Sequence, residues 1–232
     1  MRHRLTVCSR KGGVFMGTLR TRITAAVILA ALAWSGNSAG ANESSVALPP
    51  VSALPAPSPM AKIGRPAPGF ALDAVVGGEF RKINLADYRG KWVVLFFYPL
   101  DFTLVCPTEI RGFNTAREQI RSLNGEVLAI SVDSKYSHLA WIKRGDLGKL
   151  EIPLLSDFNK EVARSYGILD EESGAAQRGL FIIDPQGVLQ YIVIHNGEVG
   201  RSVDETVRVL TALQTGELCP LGWKPGQKTL GK

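Results

Sequence analysis

The sequence predicts an α/β domain in which a central mixed β-sheet is flanked by helices. The run KWVVLFFYP, residues 91–99, is continuously apolar and of strand length, which is typical of a strand buried on both faces. Strand-like and helix-like segments alternate after it, as in sheets whose parallel strands are joined by helices. Two later strand segments, GLFIID and VLQYIVIH, are joined by the turn sequence DPQG, which predicts a hairpin. Together these patterns predict a mixed sheet.

The helix after the central strand is predicted from about residue 103 to residue 123. Its apolar residues recur at helical spacing on one face, at Ile110, Phe113 and Ile120, and Gly125 is expected to end it. The next segments alternate as strand GEVLAISVDS, helix SHLAWIKR, strand IPLLSD and helix NKEVARSYG. After the hairpin, a capping box at residues 202–205 opens the last helix, VDETVRVLTALQTG. This order of elements fits a thioredoxin-like fold.

The charge of the chain is concentrated in its first 41 residues. The 232 residues carry a net charge of +6, from 27 basic and 21 acidic side chains. Six of the basic residues and none of the acidic ones lie in residues 1–41, so the rest of the chain is balanced at 21 of each. The domain therefore lacks the basic surface that nucleic-acid binding requires, and no nucleic-acid partner is predicted.

Residues 1–41 have the three parts of an export signal. Basic residues precede the stretch ITAAVILAALAW, and small residues follow it, ending in AGA. The apolar stretch is short for a membrane span, which needs about 20 residues. If the segment is cleaved, no stable membrane span is expected in the mature chain. We predict export to the periplasm or another extracytoplasmic space. The alternatives are an uncleaved anchor, an organellar transit sequence or a mis-assigned start. In those cases the protein would be cytoplasmic or organellar.

A linker separates this segment from the folded domain. Residues 42–60 are rich in Pro, Ala and Ser, which is typical of a semi-extended connection. The domain itself is predicted to span residues 61–232.

Two cysteines remain once the signal is set aside. Cys8 would leave with it, so Cys106 and Cys219 are the thiols of the mature chain. The sequence has no CxxC motif and no Cys/His cluster with zinc spacing, and His138 and His195 are isolated, so no metal site is predicted. In an exported protein the two cysteines could form a structural disulfide or a catalytic pair.

Cys106 stands where a thiol can become reactive. It follows the central strand, and Pro107 suits the first position of a helix because its missing N–H is not needed there. Unpaired N–H groups and the positive end of the helix dipole favour an anion at this place, and so the thiolate form of a cysteine. The alternative is a buried and inert thiol, since free cysteine is among the most buried residue types.

Three other residues bear on the choice between these two interpretations. The hydroxyl group of Thr103 could hydrogen-bond a thiolate, although Thr103 could also be only the N-cap of the helix. Glu109 could be a first-turn acid that the helix dipole favours. Arg178 begins a strand expected to neighbour the central one, where it could pair with an acid or stabilise a thiolate as a fixed cation.

Five motifs occur in the order typical of one family: PLDFTLVCPTEI, SVDSKYSHLAW, RGLFIID, VGRSVDE and GELCPLGWKPG. They resemble the typical 2-Cys peroxiredoxins, the alkyl hydroperoxide reductase C / thiol-specific antioxidant group, from about residue 61 to residue 226. The resemblance implies a thiol-dependent peroxidase that reduces hydrogen peroxide and organic hydroperoxides to water and alcohols in antioxidant defence. It implies no metal, flavin, nucleotide or other cofactor.

The resemblance also implies a role for each site residue. Cys106 would be the peroxidatic cysteine, which attacks the peroxide and becomes a sulfenic acid. Cys219, from a partner subunit, would be the resolving cysteine, which condenses with that sulfenic acid to an intersubunit disulfide. The supporting residues would be Thr103, bonded to thiolate and peroxide; Pro99, shielding the pocket; Arg178, stabilising the thiolate and positioning the peroxide; and Glu109 with Arg201, holding Arg178 in place.

The resemblance implies partners as well. A dithiol reductant, usually thioredoxin-like, would reduce the disulfide. Two subunits would form a homodimer, with VLQYIVIH as the candidate edge strand across it, and five dimers could assemble as a decameric ring.

The chain departs from the family pattern in three places. Members prone to overoxidation carry GGLG after HLAW and a C-terminal helix with Tyr and Phe. This chain has GDLG at residues 145–148, and only QKTLGK follows WKPG. We therefore predict that Cys106 resists overoxidation. The residues NGE at 196–198 also differ from those usual before VGRS.

Two further functions stay open. An oligomeric holdase chaperone of the same fold would need no redox chemistry. A thiol–disulfide exchange protein is the other, and the lack of a CxxC motif argues against it.

Overall fold

The computed structural model describes residues 60–232. The predicted signal at 1–41 and the linker at 42–60 lie outside the described residues, apart from Met60, and the domain limits stay predictions. Within the described part, no helix is long and apolar enough to span a membrane.

The described chain alternates strands and helices much as the sequence predicts. In chain order the elements are β1 (Ala71–Val76), β2 (Glu79–Asn84), a 3₁₀ helix (Leu85–Tyr88), β3 (Trp92–Phe97), α1 (Cys106–Ser122), β4 (Gly125–Ser131), α2 (Lys135–Arg144), β5 (Leu154–Ser156), α3 (Glu161–Ser165), β6 (Arg178–Ile183), β7 (Leu189–His195) and α4 (Val203–Thr215).

All these strands form one mixed sheet, in the order β2-β1-β5-β4-β3-β6-β7. β3 and β4 are parallel, as are β4 and β5, whereas β6 runs antiparallel to both β3 and β7. The predicted α/β class with a central mixed sheet is confirmed, and so is the thioredoxin-like arrangement. β7 is an edge strand, where the sequence places it.

The central strand β3 supplies side chains to two hydrophobic cores, one on each face of the sheet. Val93, Leu95 and Phe97 point into one core, which α3 covers. The alternate residues Val94 and Phe96, together with Tyr98 just after the strand, point into the other core, which α1, α2 and α4 cover. This two-sided burial explains why the strand reads as one continuous apolar run.

The end of α1 differs from the prediction. The helix stops at Ser122, and the residue with a left-handed backbone is Asn124, at φ 53°. Gly125 is instead the first residue of β4, where a Cβ atom would lie 2.8 Å from Cγ2 of Ile120. The glycine therefore permits close packing of β4 against α1 and does not cap the helix.

The predicted elements do not include the hairpin of β1 and β2. Its turn is formed by Gly77 and Gly78, which both have positive φ, as a two-residue hairpin loop requires. The Gly-Gly pair between two short strands was the sequence signal for it.

Candidate active site

Cys106 is the first residue of α1 and lies beyond the carboxyl end of β3. Val105 is the N-cap, so Pro107 occupies the second helical position and not the predicted first one. The change costs nothing, because the backbone nitrogen of the second helical position also has no partner within the helix. The Cys106 side chain is fully buried, and its Sγ atom lies 3.4 Å from Nη1 of Arg178, which donates to it.

Arg178 reaches Cys106 because of the sheet topology. β6 runs antiparallel to β3, so the first residue of β6 lies at the carboxyl end of β3, where α1 begins. The same Nη1 atom donates to Oε2 of Glu109 at 2.6 Å, and Nε donates to the backbone oxygen of Gly197 at 2.7 Å. Arg178 thus pairs with an acid and faces the thiol, which unites the two roles that the sequence left open.

Arg201 completes the charged cluster from the loop before α4. Its Nε and Nη2 atoms donate to the two carboxylate oxygens of Glu109 at 2.7 and 2.8 Å, a bidentate pair. Its Nη1 atom donates to the backbone oxygens of Phe97 and Gly179, each at 2.7 Å. Arg201 therefore joins α1 to β3 and β6, and it supports Arg178 through Glu109.

The ionisation of this cluster favours an anion at Cys106. Burial by itself would raise the pKa of the Glu109 carboxyl group, but the hydrogen bonds and charges of Arg201 and Arg178 outweigh burial and lower that pKa below its usual value. One carboxylate between two guanidinium groups leaves a net positive charge beside the thiol. A thiolate at Cys106 would balance that charge.

Thr103 makes no hydrogen bond to Cys106 in this structure. Its hydroxyl group donates to the backbone oxygen of Leu100 at 2.9 Å. The alternative N-cap role is wrong, because Val105 holds that position and no side chain caps the helix. Because the hydroxyl hydrogen of Thr103 is bonded to Leu100, the Thr103 oxygen can accept a hydrogen bond from a peroxide but has no hydrogen left to donate.

Pro99 lies two residues after β3, on the wall of a groove of about 520 Å³. The same groove is lined by Gln177, which precedes Arg178 in the chain, and by Gly197, whose backbone oxygen binds Arg178. Pro99 is half-buried there. Its predicted shielding role stays a prediction.

The loop before Cys106 is anchored by Asp101, which the sequence analysis did not single out. The buried Asp101 carboxylate accepts hydrogen bonds from Tyr98 and Ser137 at 2.9 and 2.7 Å, and His138 Nδ1 lies 2.9 Å from it. The Asp101 N–H donates to Asp133 at 2.8 Å. His138 is fully buried, which agrees with its predicted structural role. An acid directly after a buried strand, in PLDFT, was the signal that could have identified this anchor.

Cys219 follows α4 and is partly exposed, whereas Cys106 is buried. Its Sγ atom lies 3.6 Å from Oγ1 of Thr215, and both cysteines are free thiols. The backbone of Leu218 pairs with that of Leu230 and Gly231, so the C-terminal residues fold back beside Cys219. In the described residues no helix follows α4. The structure therefore does not contain a structural disulfide between the cysteines.

The geometry provides a buried thiol, a fixed guanidinium group against it and an acid that holds the guanidinium. This arrangement suits nucleophilic attack by sulfur, with charge stabilisation for a departing anion. Among residues 60–232, no group of three or more His, Cys, Asp or Glu side chains could hold a metal ion.

Comparisons with known proteins agree with this chemistry. The family model described as AhpC/TSA matches residues 63–192. The chain belongs to the AhpC/TSA family. Rat peroxiredoxin-2 is 56% identical in an alignment of 178 residues that covers 73% of this chain and 90% of the relative. A putative peroxiredoxin in the rubredoxin operon of Clostridium pasteurianum is 54% identical in an alignment of 174 residues that covers 72% of this chain and 98% of the relative.

Solved structures of AhpC/TSA-family proteins share the fold. The reduced 2-Cys peroxiredoxin of Plasmodium vivax aligns with a TM-score of 0.69 and 39% identity, over 72% of this chain and 91% of that one. AhpC of Enterococcus faecalis aligns with a TM-score of 0.66 and 39% identity, over 69% and 100%. The protein is thus a peroxiredoxin, a thiol-dependent peroxidase. The roles of its individual residues stay predictions.

Proposed function

We propose that Cys106 is the peroxidatic cysteine and that Arg178 is its principal electrostatic partner. The observation that carries this proposal is the 3.4 Å contact from Nη1 of Arg178 to Sγ. The thiolate attacks one peroxide oxygen, the O–O bond breaks, and the other oxygen leaves as hydroxide or alkoxide and takes up a proton. Cys106 becomes a sulfenic acid, and the product is water or an alcohol.

Arg178 has a donor left for this reaction. Its Nε and Nη1 atoms are engaged, whereas Nη2 makes no hydrogen bond to any residue that the structure describes. We assign Nη2 to the charge that develops on the departing oxygen, where a pre-oriented donor stabilises the transition state. Thr103 accepts a hydrogen bond from a protonated peroxide, and Pro99 limits access of water from the groove.

We propose that Cys219 of a second subunit resolves the sulfenic acid. Cys106 is fully buried, so its sulfur cannot meet another sulfur until the start of α1 opens. Asn114 limits that opening, because its side chain accepts the N–H groups of Glu151 and Ile152 and donates to the backbone of Lys149. Glu109 limits it as well, because Arg178 and Arg201 bind its carboxylate, so the mobile part is expected to be the first turn, ahead of Glu109.

One equivalent of hydrogen peroxide should convert the reduced protein to a disulfide-linked dimer. The Cys219→Ser variant should form no covalent dimer under the same treatment, because its sulfenic acid has no resolving thiol. Non-reducing gel electrophoresis distinguishes the two. Monomer in both samples would contradict an intersubunit pair and leave the peroxidase with another route of resolution.

The proposed partners follow from the disulfide. A thioredoxin-type dithiol reduces it, and the protein works as a homodimer that can assemble into a decamer of five dimers. The exposed edge of β7 supports the dimer, since an unpaired edge strand can continue its sheet into a second copy. Analytical ultracentrifugation tests the assembly, and turnover with thioredoxin and thioredoxin reductase tests the reductant.

Cys106 is expected to resist overoxidation to the sulfinic acid. In the described part of the chain no helix covers the region beyond α4, and GDLG replaces GGLG after α2. No further helix has to be displaced when the start of α1 opens, so disulfide formation should be faster than a second oxidation. The protein is treated with millimolar peroxide while a reductant sustains turnover, and mass spectrometry should then find Cys106 mainly in the disulfide. Predominant sulfinic acid would contradict this expectation.

We also propose that residues 1–41 export the protein. The support is the basic, apolar and small-residue order of that segment. Expression of the full chain in a bacterial host, followed by fractionation and N-terminal sequencing, tests it. A full-length cytoplasmic product would contradict export.

A further inference from the structure

We infer that Asn196 is a positioning residue for Arg178, because its side chain holds the turn whose Gly197 backbone oxygen binds the guanidinium group. The inference rests on the role proposed above for Arg178. It concerns the residues NGE, where the chain departs from the family pattern.

Two contacts at different nitrogens define the plane of the Arg178 guanidinium group. Nη1 is held by Glu109 at 2.6 Å, and Nε is held by the Gly197 oxygen at 2.7 Å. A planar group fixed at one nitrogen alone can still turn about that contact. The Gly197 oxygen is therefore what gives Nη2 a fixed direction toward the reacting oxygen.

The position of the Gly197 oxygen depends on a turn that Asn196 closes twice. The side-chain Oδ1 atom of Asn196 accepts the N–H of Glu198 at 2.9 Å, and its backbone oxygen accepts the N–H of Val199 at 3.0 Å. An asparagine that bonds the backbone two residues ahead in this way stabilises a tight turn. Gly197 lies inside that turn, so its carbonyl direction follows from the Asn196 side chain.

The sheet register places this turn next to Arg178. His195, the last residue of β7, pairs directly with Arg178 across the strands. The turn starts at Asn196, directly after β7, and Arg201 follows shortly after it. One short loop therefore presents both the Gly197 oxygen that binds Arg178 and the Arg201 side chain that binds Glu109. Residues 196–200 are exposed, and none of them belongs to either core. A substitution at Asn196 can therefore alter the orientation of Arg178 without disturbing the core.

The test compares Asn196→Ala with Asn196→Asp in a Cys219→Ser background, where the chemistry of Cys106 is observed alone. Stopped-flow measurement gives the rate of peroxide reaction, and alkylation by iodoacetamide as a function of pH gives the thiolate profile. Asn196→Ala should slow the peroxide reaction by about three- to tenfold, the net effect of losing one hydrogen bond, and should move the alkylation profile to higher pH. Asn196→Asp keeps the acceptor oxygen and should restore both properties.

Asn84→Ala is the matched control. Asn84 is exposed, and its Oδ1 atom accepts the N–H of Ala86, two residues ahead, at 3.0 Å, but it ends β2 at the opposite edge of the sheet from β7. Its peroxide rate and alkylation profile should match those of the parent. Wild-type behaviour of Asn196→Ala, or failure of Asn196→Asp to recover, would overturn the inference.

Arg178→Ala separates this inference from the proposed function. If that variant reacts with peroxide as fast as the parent, the proposed role of Arg178 fails and the role of Asn196 fails with it. If Arg178→Ala is slow while Asn196→Ala is not, only the inference about Asn196 fails.

Discussion

Replacing Cys106 by serine should abolish peroxidase activity, with a loss of at least about 10³-fold in turnover. The serine hydroxyl group is a far weaker nucleophile than a thiolate, and loss of the nucleophile leaves only what neighbouring groups contribute by themselves. The measurement is steady-state consumption of hydrogen peroxide with thioredoxin and its reductase. Cys106 is buried among Ile110, Phe113 and their neighbours, so an isosteric serine should leave the fold intact by circular dichroism.

The Cys219→Ser variant is the matched control for this loss. It should consume one equivalent of peroxide rapidly and then stop, because Cys106 still attacks but its sulfenic acid is not resolved. The pair also separates the alternative functions. A holdase chaperone would retain its activity in Cys106→Ser, so protection of a client protein together with unchanged peroxide consumption would contradict the proposed mechanism.

Replacing Glu109 by glutamine should both destabilise the domain and slow the peroxide reaction. Glu109 accepts four hydrogen bonds, from Arg178 at one site and from Arg201 at three. Removing its charge leaves two buried guanidinium groups without a counterion. Breaking a buried ion pair in this way costs about 3–5 kcal/mol. For a domain of this size we expect the melting temperature to fall by roughly 6–20 °C.

Glu118→Gln is the control for that variant. Glu118 is on the same helix but is exposed, and its ion pair with Arg121 is a surface pair. Its loss should change the free energy of unfolding by less than about 1 kcal/mol. Chemical denaturation of both variants gives the two free energies of unfolding. Equal losses would show that the buried cluster stabilises the domain no more than a surface ion pair does.

The effect of Glu109 should depend on pH with a definite sign. Its pKa in the folded protein lies below the usual value of 4.5. Its contribution to stability is therefore fully present above that value, and it is lost as the pH falls through the lowered folded-state pKa. The difference in unfolding free energy between wild type and Glu109→Gln should be constant near neutral pH and shrink below about pH 4.5. A difference that grows on acidification would contradict the ionised state assigned to Glu109.

Local patterns were enough to predict most of the elements. The apolar run of β3, the helical spacing in α1 and the capping box of α4 each rest on neighbouring residues, and the structure shows Ser202 accepting the N–H of Glu205 as that box requires. The wrong prediction about Gly125 concerns a contact between elements. Gly125 looks like a helix stop in the sequence, but it is needed because Ile120 packs against β4.

The sequence by itself determined the class of chemistry. A cysteine followed by proline after a buried strand, with the surrounding motifs, identifies a peroxiredoxin and names its seven candidate site residues. These signals come from residues close together in the chain, so they can be recognised in the sequence alone. How the residues act together depends on the tertiary structure. It placed Glu109 between Arg178 and Arg201, which are 69 and 92 residues away from it, and it gave the Thr103 hydroxyl group the backbone oxygen of Leu100 as its acceptor. It also made the Gly197 backbone a ligand of Arg178, because the antiparallel pairing of β6 and β7 brings that turn to the first residue of β6. Backbone groups and long-range ion pairs carry no sequence signature of their own, and they arise only when the sheet is assembled.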